Sequence, residues 1–128
     1  MQFAGEVALR GLFVACLCAQ WCGTCREYRP GFEALKTRFP AVEFAWVDVE
    51  DESEVVEDLD VENFPTLVIQ HGTSVLFYGP MLPQLPLLER LISTYAEQST
   101  EEAAAYAQAN ADRRALQGVA DVRSRLAR

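Results

Sequence analysis

Cys22 and Cys25, spaced by Gly23 and Thr24 and preceded by Trp21, are the residues of this chain whose type and spacing could do chemistry. Two thiols at this spacing either close a disulfide across a helix start or supply a pair of metal ligands. Their surroundings favour the redox reading. The apolar run from Leu12 to Ala19 reads as a buried strand, and the segment after Cys22 reads as an amphipathic helix. A thiol at that junction meets unpaired backbone N–H groups and the positive end of the helix dipole. Both favour thiolate, the reactive form. Cys22 is the expected nucleophile, and Cys25, one turn deeper, the resolving thiol.

These residues need elements to position them. Cys25, Tyr28, Phe32, Leu35 and Phe39 recur at helical spacing, interrupted at Pro30 and Gly31, with Pro40 as the stop. Val42 to Val49 reads as a second strand, too apolar on both sides for an exposed edge. Residues 51–60 read as a short acidic helix. Thr66–Ile69 and Ser74–Tyr78 form a hairpin through the loop Gln70-His71-Gly72-Thr73. Leu85, Leu88, Leu91, Ile92 and Tyr95 mark a further helix, with Pro86 in its first turn. The first two strands should be parallel, joined by a right-handed crossover.

The chain has 128 residues, half of them hydrophobic, which suits one domain with its own core. A net charge of −8 argues against nucleic acid and anionic membrane surfaces as partners. No run reaches the roughly 18–20 apolar residues of a membrane span. As an export signal the first residues are poor, since Glu6 cancels Arg10 and the apolar core is short. The expected location is cytoplasmic, a reducing compartment where such a Cys pair is catalytic or metal-binding rather than a staple. From Glu101 the chain turns alanine-rich, with a thin apolar stripe at Leu116, Val119, Val122 and Leu126. Arginines at 113, 114, 123, 125 and 128 make this end basic, opposite an acidic stretch at 48–62. Two solvated faces are the plain reading; packing of the tail on the acidic helix is the sharper one.

Trp21-Cys22-Gly23-Thr24-Cys25-Arg26, Pro30, Phe64-Pro65-Thr66 and Gly79 together resemble the thioredoxin family over about residues 12–97. The resemblance implies an α/β thioredoxin-like fold: a central mixed four-stranded sheet flanked by helices in the order βαβαββα. Residues 1–98 would form this domain, with the family's N-terminal strand and helix shortened or absent. Residues 99–128 would be a helical extension. It implies a cis peptide bond before Pro65 and a client-binding surface of Trp21, Gly23, Thr24, Phe64, Pro65 and Gly79, with Pro80 at the rim. It further implies exchange of a Cys22–Cys25 dithiol or disulfide with protein clients through a mixed disulfide. A thioredoxin reductase or equivalent donor would supply electrons to a monomer needing no cofactor beyond that disulfide.

The chain departs from the family pattern at three places. Thr24 stands where the best-known members carry proline, so an added N–H and hydroxyl near the Cys22 sulfur should make the couple more oxidising. Cys16 replaces a buried aspartate and Trp46 its lysine partner, leaving Cys25 without an obvious general base. Cys18 replaces a residue that is often tryptophan. Cys16 and Cys18 share a strand face about 6.6 Å apart at Cα, which disfavours a bond between them. They read as small buried hydrophobes or, alternatively, as a relay exchanging with Cys25. The spacing C-x-C-x₃-C-x₂-C also raises a zinc or copper(I) site, although two of those thiols lie in a core strand. A thioredoxin-fold adaptor is the other rival. His71 is expected exposed in the hairpin loop, without a catalytic role.

Overall fold

The strand β1, Leu12–Cys18, is buried at every position, so both of its faces meet apolar partners. In the computed structural model, which describes residues 11–59 and 61–126, β1 lies inside a four-stranded sheet of order β2-β1-β3-β4. The others are β2, Glu43–Asp48, β3, Thr66–His71, and β4, Ser74–Pro80. β1 pairs parallel with β2 and antiparallel with β3, and β3 pairs antiparallel with β4. This is the mixed sheet that the resemblance implies. The expected shortening of the N-terminal strand and helix falls at residues outside those described.

Helix α1, Gly23–Arg38, buries Cys25, Tyr28, Phe32 and Leu35 on one face of the sheet. It runs through Pro30, where one intrahelical bond is lost, because packing of this stripe outweighs that loss. Gly31 lets the chain approach Leu85 of the helix α3, Leu85–Ala96, more closely than a Cβ would allow. Among the described residues β2 pairs with β1 alone, so the expectation of an interior strand is not met there. Its two-sided apolar pattern comes from covered faces instead. Phe44 and Trp46 pack edge-on to Phe32 of α1, while Ala45 and Val47 face the opposite side.

The hairpin is tighter than its sequence suggests. The strands extend to His71 and Ser74, leaving Gly72 and Thr73 as the turn, with Gly72 at φ 61°. Glycine adopts this left-handed conformation without a Cβ penalty. His71 is therefore a half-buried strand residue, not an exposed loop residue.

The opposite face of the sheet is covered from the C-terminal side. The acidic helix α2 is only Ser53–Val56. Beyond α3 come three short helices: α4, Thr100–Ala107, α5, Ala111–Val119, and α6, Val122–Leu126. Ser99 and Glu102 form a reciprocal capping box on α4, and the Asn110 side chain accepts from the Arg113 N–H at 2.8 Å to start α5. Ala120 and Val122 bury against Phe13, Leu17, Val47 and Val68. The tail is therefore not a solvated face: Arg125 bonds the Val55 carbonyl at 3.4 Å and lies 3.7 Å from Asp58, reaching the acidic helix. Among the described residues no helix is long and apolar enough to cross a membrane.

Candidate functional site

The C-terminal end of β1 delivers the site. After Cys18 a tight turn, closed by the Cys22 N–H to the Ala19 carbonyl at 3.0 Å, places Cys22 at the N-cap of α1. Cys22 is half-buried and free. Beside it Trp21 is 64% exposed, an uncommon position for so large an apolar ring. The Trp21 ring meets Phe64 edge-to-face at 5.7 Å between centroids. That contact brings the loop before β3 to the thiol. The Phe64–Pro65 peptide is cis.

The residues expected to form a binding surface divide by exposure. Trp21, Gly23 and Thr24 are exposed and Phe64 is half-buried, whereas Pro65 and Gly79 are buried and Pro80 is exposed at the end of β4. The Pro65 carbonyl accepts from the Met81 N–H at 3.2 Å. Met81 is half-buried next to Leu82, itself exposed, so the apolar rim continues past Pro80. Sequence reasoning missed Met81 and Leu82. The only available signal was two large apolar residues directly after Gly79-Pro80, where a loop would be polar.

The sulfurs are paired differently from the sequence expectation. Cys25 is bonded to Cys18, not to Cys22, across a Cα separation of 5.9 Å. The physical reason is the depth of the helix start. Cys25, the third residue of α1, points into the core and is 1% exposed, as is Cys18 at the end of β1 beneath it. Cys22, at the cap, does not share that burial. Cys18 is thus not the small hydrophobe it resembles. Cys16 is buried and free, its sulfur 3.7 Å from that of Cys18.

The electrostatics follow from this burial. Desolvation pushes the Cys16 thiol far up, with Arg29 pulling weakly the other way. Cys16 stands opposite Trp46 in the β1–β2 register, and the Arg29 guanidinium lies 5.0 Å from the Trp46 ring centroid. An arginine on a neighbouring helix therefore approaches the position where the family pattern has a charged pair. The Cys22 side chain accepts no capping hydrogen bond, so the donors expected from Thr24 are not engaged. With two of the four sulfurs joined, the four-thiol metal site has only two thiolates to offer in this state.

A mixed sheet with helices on both faces, a cysteine at the cap of the first helix after the central strand, and a cis proline in the loop whose Phe64 meets the neighbouring Trp21 define a thioredoxin-like protein. The thioredoxin family model matches residues 1–80. A thioredoxin H-type from Picea mariana is 41% identical over 58 residues, 44% of this chain and 46% of that protein. A thioredoxin from Ophiophagus hannah is 34% identical over 67 residues, 51% of this chain and 64% of that protein. Among solved structures, Fasciola hepatica thioredoxin superposes with a TM-score of 0.63 at 31% identity, covering 73% of this chain and 88% of that one. The chain belongs to the thioredoxin family. The matched stretch spans about half the length of the first of those curated relatives, and α3 to α6 lie beyond the family match.

Proposed function

We propose that this protein is a thiol–disulfide oxidoreductase acting on protein clients. One observation carries the reading: a free, partly exposed thiol at a helix cap, flanked by the exposed Trp21 and the Phe64–cis-Pro65 loop. In the reduced protein Cys22 attacks a client disulfide and one client sulfur leaves as thiol. Cys25, one turn along the helix and so adjacent to it, attacks the Cys22 sulfur and releases the second. Trp21, Phe64 and Leu82 supply the apolar contact that holds an extended client segment. The domain is taken as residues 1–98 with 99–128 as its extension, working as a monomer in the cytoplasm with a thioredoxin reductase or equivalent as electron donor.

Turnover of insulin disulfides by the full chain tests this. The expected result is dithiol-driven reduction that disappears in Cys22→Ser; equal rates in the two proteins would refute the reading. The reduction potential, set against a cytosolic glutathione poise of roughly −220 to −320 mV, then fixes the direction of electron flow.

A further inference from the structure

We propose that Cys18 is a third redox-active thiol, which takes Cys25 over from Cys22 by internal disulfide exchange and returns Cys22 to the surface as a free thiol. The pairing itself is the first support: the oxidised sulfurs are Cys18 and Cys25, and Cys22 is free. Position is the second. Cys25 sits between two sulfurs, one turn from Cys22 along α1 and 5.9 Å at Cα from Cys18, inside the usual range for a disulfide. Burial is the third. Both members of the observed disulfide are 1% exposed while Cys22 is partly exposed, so no external thiol reaches that bond directly.

The step balances without an outside reactant. The Cys18 sulfur attacks the Cys25 sulfur of a Cys22–Cys25 disulfide. A Cys18–Cys25 bond forms, the Cys22–Cys25 bond breaks, and the Cys22 sulfur leaves with the electron pair. The proton of Cys18 is taken up, in net, by Cys22. One disulfide and one thiol stand on each side. The exchange moves the free thiol from the core to the surface, where water solvates it, and puts the less polar disulfide in the core. That is the direction expected at equilibrium. Cys16 completes the product state: a disulfide sulfur has no hydrogen, so across 3.7 Å the Cys16 S–H is the donor to the Cys18 sulfur.

The consequence deepens the proposed function and rests on it for the client that first oxidises the pair. After one turnover the protein again presents Cys22 beside Trp21 and Phe64, now with no resolving thiol free. It should then hold a second disulfide partner as a stable mixed disulfide. Reduction runs backwards: Cys22 attacks Cys25, regenerating the surface-accessible pair.

The four cysteines all fall between Arg10 and Arg26 in one tryptic peptide, so their pairing is read by differential alkylation and fragmentation of that peptide. The reduced full chain is oxidised with one equivalent of diamide, which needs no client. It is then treated with N-ethylmaleimide while folded, quenched in acid, unfolded with isotopically labelled maleimide, reduced, and finally alkylated with iodoacetamide. The expected map puts the first label on Cys22, the second on Cys16, and iodoacetamide on Cys18 and Cys25. In Cys18→Ala the folded-state labelling of Cys22 should fall at least about tenfold, since Cys22 is then held by Cys25. Iodoacetamide on Cys22 and Cys25 in the unaltered chain, at early and late times alike, would overturn the proposal. Insulin turnover is scored separately. Its absence together with the expected map removes the oxidoreductase reading and leaves the third thiol standing, and the converse removes only the exchange.

Discussion

The two faces of the sheet are built by different means. On one, Val14, Cys16 and Cys18 of β1 pack beneath α1 and α3 with Tyr28, Phe32 and Leu67, an apolar and aromatic layer that ends in sulfur. On the other, Phe13, Ala15 and Leu17 pack with Val47, Val68 and Val75, and the cover is a tail tied down by polar side chains. Gln70 is buried on β3. Its amide donates to Asp121 at 2.8 Å, and its carbonyl oxygen accepts from the Arg123 N–H at 3.0 Å. Arg123 donates to the Gly11 carbonyl at 3.0 Å and to Glu43 at 2.8 Å. Gln117 imitates a strand, accepting from the Val75 N–H at 2.7 Å and donating to the Val75 carbonyl at 3.0 Å. Chemistry sits on the face held by shape, and anchoring on the face held by hydrogen bonds. If that division is real, the two faces should fail independently.

The largest effect separates them. Cys22→Ser should lower insulin reduction by about 10³-fold or more, as loss of a nucleophile does, with an unchanged melting temperature because the side chain is a half-buried, unbonded thiol. Arg123→Ala should do the reverse. It removes charge-assisted bonds to the half-buried Gly11 and Gly72 carbonyls and to Glu43 and should cost about 2–4 kcal/mol in urea unfolding, while the folded fraction keeps its rate of client reduction. A parallel fall in rate and stability for Arg123→Ala would mean that the tail reaches the thiols.

Next comes Gln70→Leu, close to isosteric. It leaves the Arg123 N–H without its Gln70 acceptor and takes one donor from the Asp121 carboxylate, which keeps its bonds from Ser124, and should cost about 1–3 kcal/mol by denaturant titration. On the other face, Phe64→Ala deletes the edge contact with Trp21. An aromatic pair is worth about 0.5–1.5 kcal/mol, so KM for a protein client should rise about two- to tenfold with kcat nearly held. A fall in kcat alone would place Phe64 in the chemical step and not in client binding.

The thiol face was the more legible of the two, and the residues say why. Cys22, Cys25, Phe64-Pro65 and Gly79 form local patterns whose order along the chain carries the topology, and periodicity alone located the helix stripe from Cys25 to Leu35. Cys18 was unreadable for a geometric reason. Alternation places it on the same strand face as Cys16, but the vertical position of the first turn of α1 above β1 is a tertiary quantity, and it decides which sulfur Cys25 meets. The anchoring face hid almost everything. Gln70 and Arg123 are 53 positions apart, and polar residues at such separations look like surface until the chain is folded. The stripe at Leu116, Val119, Val122 and Leu126 offered a docked tail only as the alternative to a solvated face, and Val119 within it stays 41% exposed. It did not announce breaks at Asn110 and Ala120, because caps compete with a continuous helix on nearly equal terms.

The smallest effect tests the seam between the anchoring face and the hairpin. Burial first, and the charge of Arg123 second, hold the His71 imidazole below its ordinary value of 6.5, and its Nδ1 is buried without a partner among the described residues. The folded state therefore binds this proton more weakly than the unfolded chain does. Stability from neutral His71 is present above the unfolded value near 6.5 and is lost as pH falls from there towards the lower folded value. His71 is only partly buried, so solvent screening limits the effect to about a few tenths of a kcal/mol. The difference in urea midpoint between the unaltered chain and His71→Gln, measured from pH 7.5 to 5, isolates it from the carboxylates, which titrate lower in both proteins. The unaltered chain should lose stability relative to the variant below about pH 6.5. In Arg123→Ala the folded-side end of this window should move up towards 6.5, because the cation lowers the folded value, and only part of the way, because burial is the larger of the two causes. A relative gain of stability on acidification would mean that His71 finds an acceptor when protonated, and the seam would then be a hydrogen-bonded extension of the Arg123 network.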